Sequence, residues 1–113
     1  AKLERERLTE LIRGKEKMVL YGLGKDGAAL WKCLNESIRS CLVLCDKKAD
    51  KEKYCFHGIR VVKPVELCTK YRDYEILVTS SQFWREIKVE LCDGGVSADR
   101  IICNTIPLWE EET

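Results

Sequence analysis

Short apolar runs alternate with longer amphipathic ones along this chain. Val19–Leu20–Tyr21, Cys41 to Cys45 and Tyr74 to Thr79 are mainly apolar, and each predicts a buried strand. Two weaker runs, Ile59 to Val62 and Asp99 to Cys103, predict further short strands, the first entered through a turn at His57–Gly58. Helical spacing fills the intervals. In residues 1–13, Leu8, Leu11 and Ile12 form an apolar stripe that Gly14 would stop. Ala28, Ala29, Leu30, Trp31, Cys33 and Leu34 predict a helix running to about Asn35. Pro64 suits the first position of a helix continuing from Val65 to Lys70. Phe83, Ile87 and Leu91, four residues apart, predict one buried helix face, capped by Ser80 or Ser81 and ended by Gly94–Gly95. Residues 47–53 read as a solvated charged loop. The tail from Ile106 to Thr113 has no regular pattern, and Trp109 either packs back on the domain or marks the start of something removed.

Strands alternating with helices predict an α/β domain: a three-layer sandwich with a parallel sheet of four or five strands. Val19–Tyr21 is expected at its centre, with Ile76–Thr79 alongside. The expected division is an N-terminal helix over 1–14, the domain over 15–106 and a tail over 107–113. The chain begins without methionine or a capping residue, which points to a processed terminus or a piece of a longer protein.

The apolar run at Val19 leads into Gly22-Leu23-Gly24-Lys25-Asp26-Gly27 and then into the predicted helix. Strand, G-x-G-x-x-G and helix together form the context of a dinucleotide-binding turn. Gly22 would permit the tight exit from the strand, Gly24 close approach of a pyrophosphate, and Gly27 close packing of helix on sheet. Free amides and the helix dipole would then face an anion. A turn that merely connects strand to helix is the alternative. Asp46 ends the second strand about 20 residues on, where an acid can accept hydrogen bonds from ribose hydroxyls; it is equally well placed as a turn residue. Lys47 or Lys48 would be the partner of a 2′-phosphate. Thr79, Ser80 and Ser81 follow the fourth strand and would complete the site.

Composition narrows this picture. The 113 residues suit one domain. Twenty Lys and Arg against nineteen Asp and Glu leave a net charge of +1, which gives no field for nucleic acid or a membrane surface. No apolar run has the roughly 20 residues needed to span a bilayer. Seven cysteines without a C-x-x-C pair read as small buried hydrophobes in a reducing cytoplasm, not as a metal site. Catalytic motifs are wanting as well. Tyr21-x-x-x-Lys25 crosses the glycine turn, so its two side chains cannot share a helix face, and neither G-x-S-x-G nor a Walker A sequence occurs. No catalytic residue and no metal ligand is assigned.

V-L-Y-G-L-G-K-D-G, L-V-L-C-D-K-K, F-H-G-I-R-V-V-K-P-V-E-L and Y-E-I-L-V-T-S-S together resemble the small Rossmann-like domains of bacterial surface-glycan biosynthesis over residues 17–103. Such domains precede sugar acyltransferases and accompany nucleotide-sugar dehydratases, glycosyltransferases and methyltransferases. The resemblance implies a nucleotide- or nucleotide-sugar-binding accessory domain of a cytoplasmic enzyme, not catalytic by itself. The turn at Gly22, Gly24 and Gly27, Asp46 and the loop from Thr79 to Ser81 would hold the ligand. The hexapeptide repeats of the acyltransferases are absent from this chain. Two alternatives stay open: an NAD(P)-binding fragment of an oxidoreductase or epimerase, and a degenerate module serving assembly, with a larger enzyme or a second copy as partner.

Overall fold

All four residues of the strand Met18–Tyr21 (β1) are buried, because the strand is covered on both faces and flanked on both edges. In the computed structural model, which describes residues 1–110, β1 pairs in parallel with Leu42–Cys45 (β2) on one side and Glu75–Val78 (β5) on the other. Val19 faces Val43 and Ile76 in register. Cys55–Phe56 (β3), Ile59–Val62 (β4) and Ile101–Cys103 (β6) complete a six-stranded sheet in the order β3-β4-β2-β1-β5-β6. Five strands run parallel, and β3 is antiparallel to β4. The sheet thus exceeds the expected four or five strands through the added edge strand β3, which forms a hairpin with β4. Its turn is His57–Gly58, both at positive φ (49° and 77°), as a two-residue hairpin loop requires.

Alternation along the strands divides the core. Met18, Leu20, Leu44, Val61 and Leu77 point to one face, where they pack with Leu8 and Ile12 of Lys2–Ile12 (α1), Leu30 and Trp31 of Lys25–Cys33 (α2), and Ile38 of Glu36–Arg39 (α3). Val19, Tyr21, Cys45, Val62, Ile76 and Val78 point to the other, against Ile87 and Leu91 of Trp84–Asp93 (α4) and Leu67 of the 3-10 turn Pro64–Cys68. The result is an α/β sandwich with a helical layer on each face. Among the described residues, no helix is long and apolar enough to cross a membrane.

Several boundaries differ from expectation for local reasons. α2 ends at Cys33, and Asn35 instead caps α3, its Oδ1 accepting the Ile38 amide at 2.9 Å. The segment after Pro64 closes as a 3-10 turn, with Glu66 accepting the Lys63 amide at 2.8 Å, and does not reach Lys70 as a helix. Residues 98–100 form a 3-10 turn before β6, where Arg100 donates to the carbonyls of Leu67, Tyr71 and Tyr74. The tail packs back: Leu108 is fully buried in the first core. Glu111, Glu112 and Thr113, the end of the expected irregular tail, lie outside the described residues.

The cysteines correct another expectation. Cys45 alone is buried, whereas Cys33, Cys41 and Cys55 are exposed and Cys68, Cys92 and Cys103 are intermediate. Cys55 lies on the edge hairpin, Cys41 just before β2 and Cys33 at the end of α2, all outside the sheet's covered centre. Desolvation, helped by the Asp46 charge, pushes the Cys45 thiol well above the ordinary range. A raised pKa means less thiolate at any given pH. Iodoacetamide at neutral pH should therefore alkylate Cys33, Cys41 and Cys55 at least about tenfold faster than Cys45. Peptide mass mapping over time checks this, and equal rates would contradict the buried placement.

Candidate functional site

The site is built on the turn after β1. Gly22 leaves the strand at φ +103° while its amide still donates to the Cys45 carbonyl at 2.9 Å. A left-handed φ of this kind favours glycine. The Gly22 carbonyl then runs under α2, and a Cβ on Gly27 would lie 1.9 Å from that oxygen. Thr79, buried at the end of β5, brings its hydroxyl 2.6 Å from the same oxygen and 3.1 Å from the Tyr21 carbonyl. Residue 27 therefore has to be glycine for helix, turn and β5 to meet. Gly24 differs: it caps α2, and nothing lies within 4 Å of where its Cβ would be.

That open space lies beside a row of amides. Ala28 is the first residue of α2 to bond back, to the Gly24 carbonyl at 2.8 Å. Among the described residues, the amides of Gly24, Lys25, Asp26 and Gly27 have no acceptor, as is usual at a helix start. They border a cleft of about 400 Å³ formed by the ends of β1, β2 and β5, the start of α4 and Trp109 of the tail.

Two carboxylates brace the cleft. Asp46 accepts the Leu23 amide on Oδ2 at 2.9 Å and the Lys48 amide on Oδ1 at 3.0 Å. It joins the end of β2 to the glycine turn, so its turn-forming role is realised while it also faces the cleft. Asp26, buried in the first turn of α2, accepts the Ser81 amide at 2.9 Å and the Ser81 hydroxyl at 2.8 Å on Oδ2, and the Leu108 amide at 2.6 Å on Oδ1. A single side chain thus holds α2, the loop after β5 and the tail together. Asn104 reinforces the tail, donating from Nδ2 to the Thr79 carbonyl at 2.8 Å.

Cations stand at the rim. Lys47 pairs with Glu90 of α4 at 2.9 Å, and this hydrogen bond raises the lysine pKa and keeps it charged. Lys25 Nζ sits 4.7 Å from the centre of the Trp109 ring. Lys48 turns away, towards the Tyr54 ring. Burial pushes the Tyr21 phenol up, so it stays neutral at the cleft floor.

Gly22, Gly24, Lys25, Asp26, Gly27, Asp46, Lys47, Thr79, Ser80 and Ser81 all line the one cleft. Leu23 does not: its side chain is buried in the core, and its amide goes to Asp46. Ser80 accepts the Phe83 amide at 3.0 Å and so closes a turn before α4, which starts only at Trp84. Phe83 accordingly misses the buried face set by Ile87 and Leu91; it is 49% exposed and lines the cleft. Tyr21, Gln82, Phe83, Ile87 and Trp109 are cleft residues the sequence reading missed. The serine-initiated turn at Ser80 is the signal that could have found Phe83. His57 lies elsewhere, stacked on Trp31. No group of three or more potential metal ligands occurs among the described residues.

Residues 14–102 match the family described as C2185-like, N-terminal. The chain belongs to this family. The matched span of the C2185-like N-terminal domain contains the glycine turn, Asp46 and the loop from Thr79 to Phe83, while Trp109 falls beyond it. No curated protein matches the chain.

The last two glycines of the turn separate experimentally. Gly27→Ala should cost at least about 3 kcal/mol, since backbone must move to admit the methyl group. Gly24→Ala should cost about 1 kcal/mol or less, as expected at an open N-cap. Urea unfolding followed by circular dichroism measures both, and similar losses at the two positions would refute the assigned geometry.

Proposed function

We propose that this domain binds the phosphate or diphosphate of a nucleotide-type ligand over residues 22–27, with the ribose beside Asp46. The observation that carries the reading is the row of four amides without acceptors, from Gly24 to Gly27, beside open space at Gly24. Amides at a helix start point at an anion, and the helix dipole favours its charge. The reading includes a Rossmann-like form of the fold. Its support is the order β4-β2-β1-β5-β6 among the parallel strands, which corresponds to the 3-2-1-4-5 run of doubly wound sheets. The order reverses between β1 and β5, and the crevice outside the carboxyl ends of strands at such a reversal is where these sheets take ligands.

The braced carboxylates are compatible with this role. Each Asp46 oxygen accepts one amide, and a carboxylate oxygen has a second lone pair for a ribose hydroxyl. Asp26 has both oxygens occupied by donors from Ser81 and Leu108, so its role beside the proposed phosphate is to hold the surrounding segments. The wider setting, an accessory domain of a cytoplasmic glycan-biosynthesis enzyme taking a nucleotide-sugar, draws its support from the sequence resemblance over residues 17–103. An NAD(P)-binding fragment uses the same phosphate site and differs in the ligand chosen. The assembly reading draws on a different observation: Leu3, Val65 and Val89 are large apolar side chains more than half exposed.

Calorimetry with pyrophosphate, NAD, NADP, UDP-sugars and CMP-sugars tests the proposal. Pyrophosphate and at least one nucleotide should bind with Kd below about 1 mM. Gly24→Val should lose that binding while keeping its fold by circular dichroism. Lys25→Ala should weaken it by roughly 1 kcal/mol or less, as for an exposed ion contact. Preference for UDP- or CMP-sugars favours the nucleotide-sugar reading, and preference for NAD or NADP the fragment. No binding, or equal binding by folded Gly24→Val, would make the turn a structural connection and leave assembly as the function.

A further inference from the structure

We infer that the cleft has a second half, walled by Phe83 and Trp109, which takes a planar heteroaromatic ring carried by the ligand whose phosphate lies on the amide row; this rests on the phosphate reading above. Both side chains line the cleft, yet Phe83 is 49% and Trp109 46% exposed. Large aromatic rings left half open beside a concave site are a natural surface for stacking.

Their positions are fixed. Phe83 follows Ser81 by two residues, and Trp109 follows Leu108 by one. Ser81 and Leu108 are the two partners of the Asp26 carboxylate, and Asp26 itself belongs to the amide row. One buried side chain therefore sets both aromatic-bearing segments relative to the phosphate position. Ser80 adds a second restraint on Phe83 through its amide, and the Asn104–Thr79 bond a second restraint on the tail.

The polar groups nearby select the kind of ring. The Ser80 hydroxyl accepts from Phe83 and the Ser81 hydroxyl donates to Asp26. Gln82 is exposed and makes no hydrogen bond among the described residues. A pyranose in this half would bring several hydroxyls to few partners, and unmade hydrogen bonds are costly. A base brings two faces for stacking and an edge of donors and acceptors for one amide side chain.

Lys25 links the two halves. Its ammonium group lies over Trp109, a weak attachment at an exposed site. An arriving phosphate offers it a charge-assisted hydrogen bond instead. Lys25 then leaves the indole as the anion settles, and the ring is uncovered for the base.

Titrations of the full chain with AMP, UMP and ribose 5-phosphate isolate the base, since ribose 5-phosphate lacks only that part. The chain should bind AMP or UMP at least about fivefold more tightly than ribose 5-phosphate, the low end of base–aromatic stacking. Trp109→Ala should abolish that advantage and leave ribose 5-phosphate within about twofold, whereas Trp109→Phe should retain most of it. Trp109 is half exposed, so both variants should fold; Phe83→Ala provides an independent second wall to remove. Equal affinity for ribose 5-phosphate and both nucleotides, or undiminished nucleotide binding by Trp109→Ala, would overturn the ring site while leaving the phosphate site standing. Failure of all three compounds and of pyrophosphate would overturn both.

Discussion

The Gly22 carbonyl occupies the space where a side chain on residue 27 would begin. Everything near the cleft depends on that contact. It lets α2 start directly over the end of β1, and it puts the Thr79 hydroxyl within reach of the turn from β5. β1 is thereby tied to its helix and to its neighbouring strand at one point. The two strands joined there, β1 and β5, are buried along nearly their whole length, so a shift at this point would be transmitted into a core that tolerates little change of volume.

Asp26 extends the same junction outwards. A buried carboxylate needs hydrogen bonds, and here they come from Ser81 and Leu108, residues far from it in sequence. Accepting them fixes the loop after β5 and the tail against the start of α2. Asp46 does the equivalent for β2 through the Leu23 amide. The cleft is thus walled by segments that each end in a hydrogen bond to the turn or its helix. The amides from Gly24 to Gly27, in contrast, are left without acceptors among the described residues.

The central strands and the three turn glycines were legible because their causes are local. Val19–Tyr21 is apolar throughout and bounded by glycine, and Gly22 and Gly27 have the geometry their spacing implies. What was not legible depends on partners distant in sequence. Cys55–Phe56 is too short to carry a period and becomes a strand by pairing with Arg60 and Ile59. Phe83 keeps the spacing of a buried position, yet the Ser80 turn delays the helix and turns the ring into the cleft. Asp26 reads as an ordinary acid at a helix start, and nothing near it in sequence announces Leu108. The tail showed no pattern because its anchors, Asn104 and Leu108, each bond to residues of other segments. Of the site, the glycine turn, Asp46 and the loop after β5 were read correctly as neighbours; the aromatic wall was not.

The proposed function makes the free amides at the start of α2 an anion cradle. Amide chemical shifts of 15N-labelled protein, followed during titration with pyrophosphate, test it at the atoms concerned. Amides that gain a phosphate oxygen as acceptor should move downfield in saturable fashion, so Gly24, Lys25, Asp26 and Gly27 should show the largest shifts, with Leu23, held by Asp46, moving less. Saturable shifts centred instead on the charged segment from Lys47 to Lys53, with residues 24–27 unmoved, would contradict the claim.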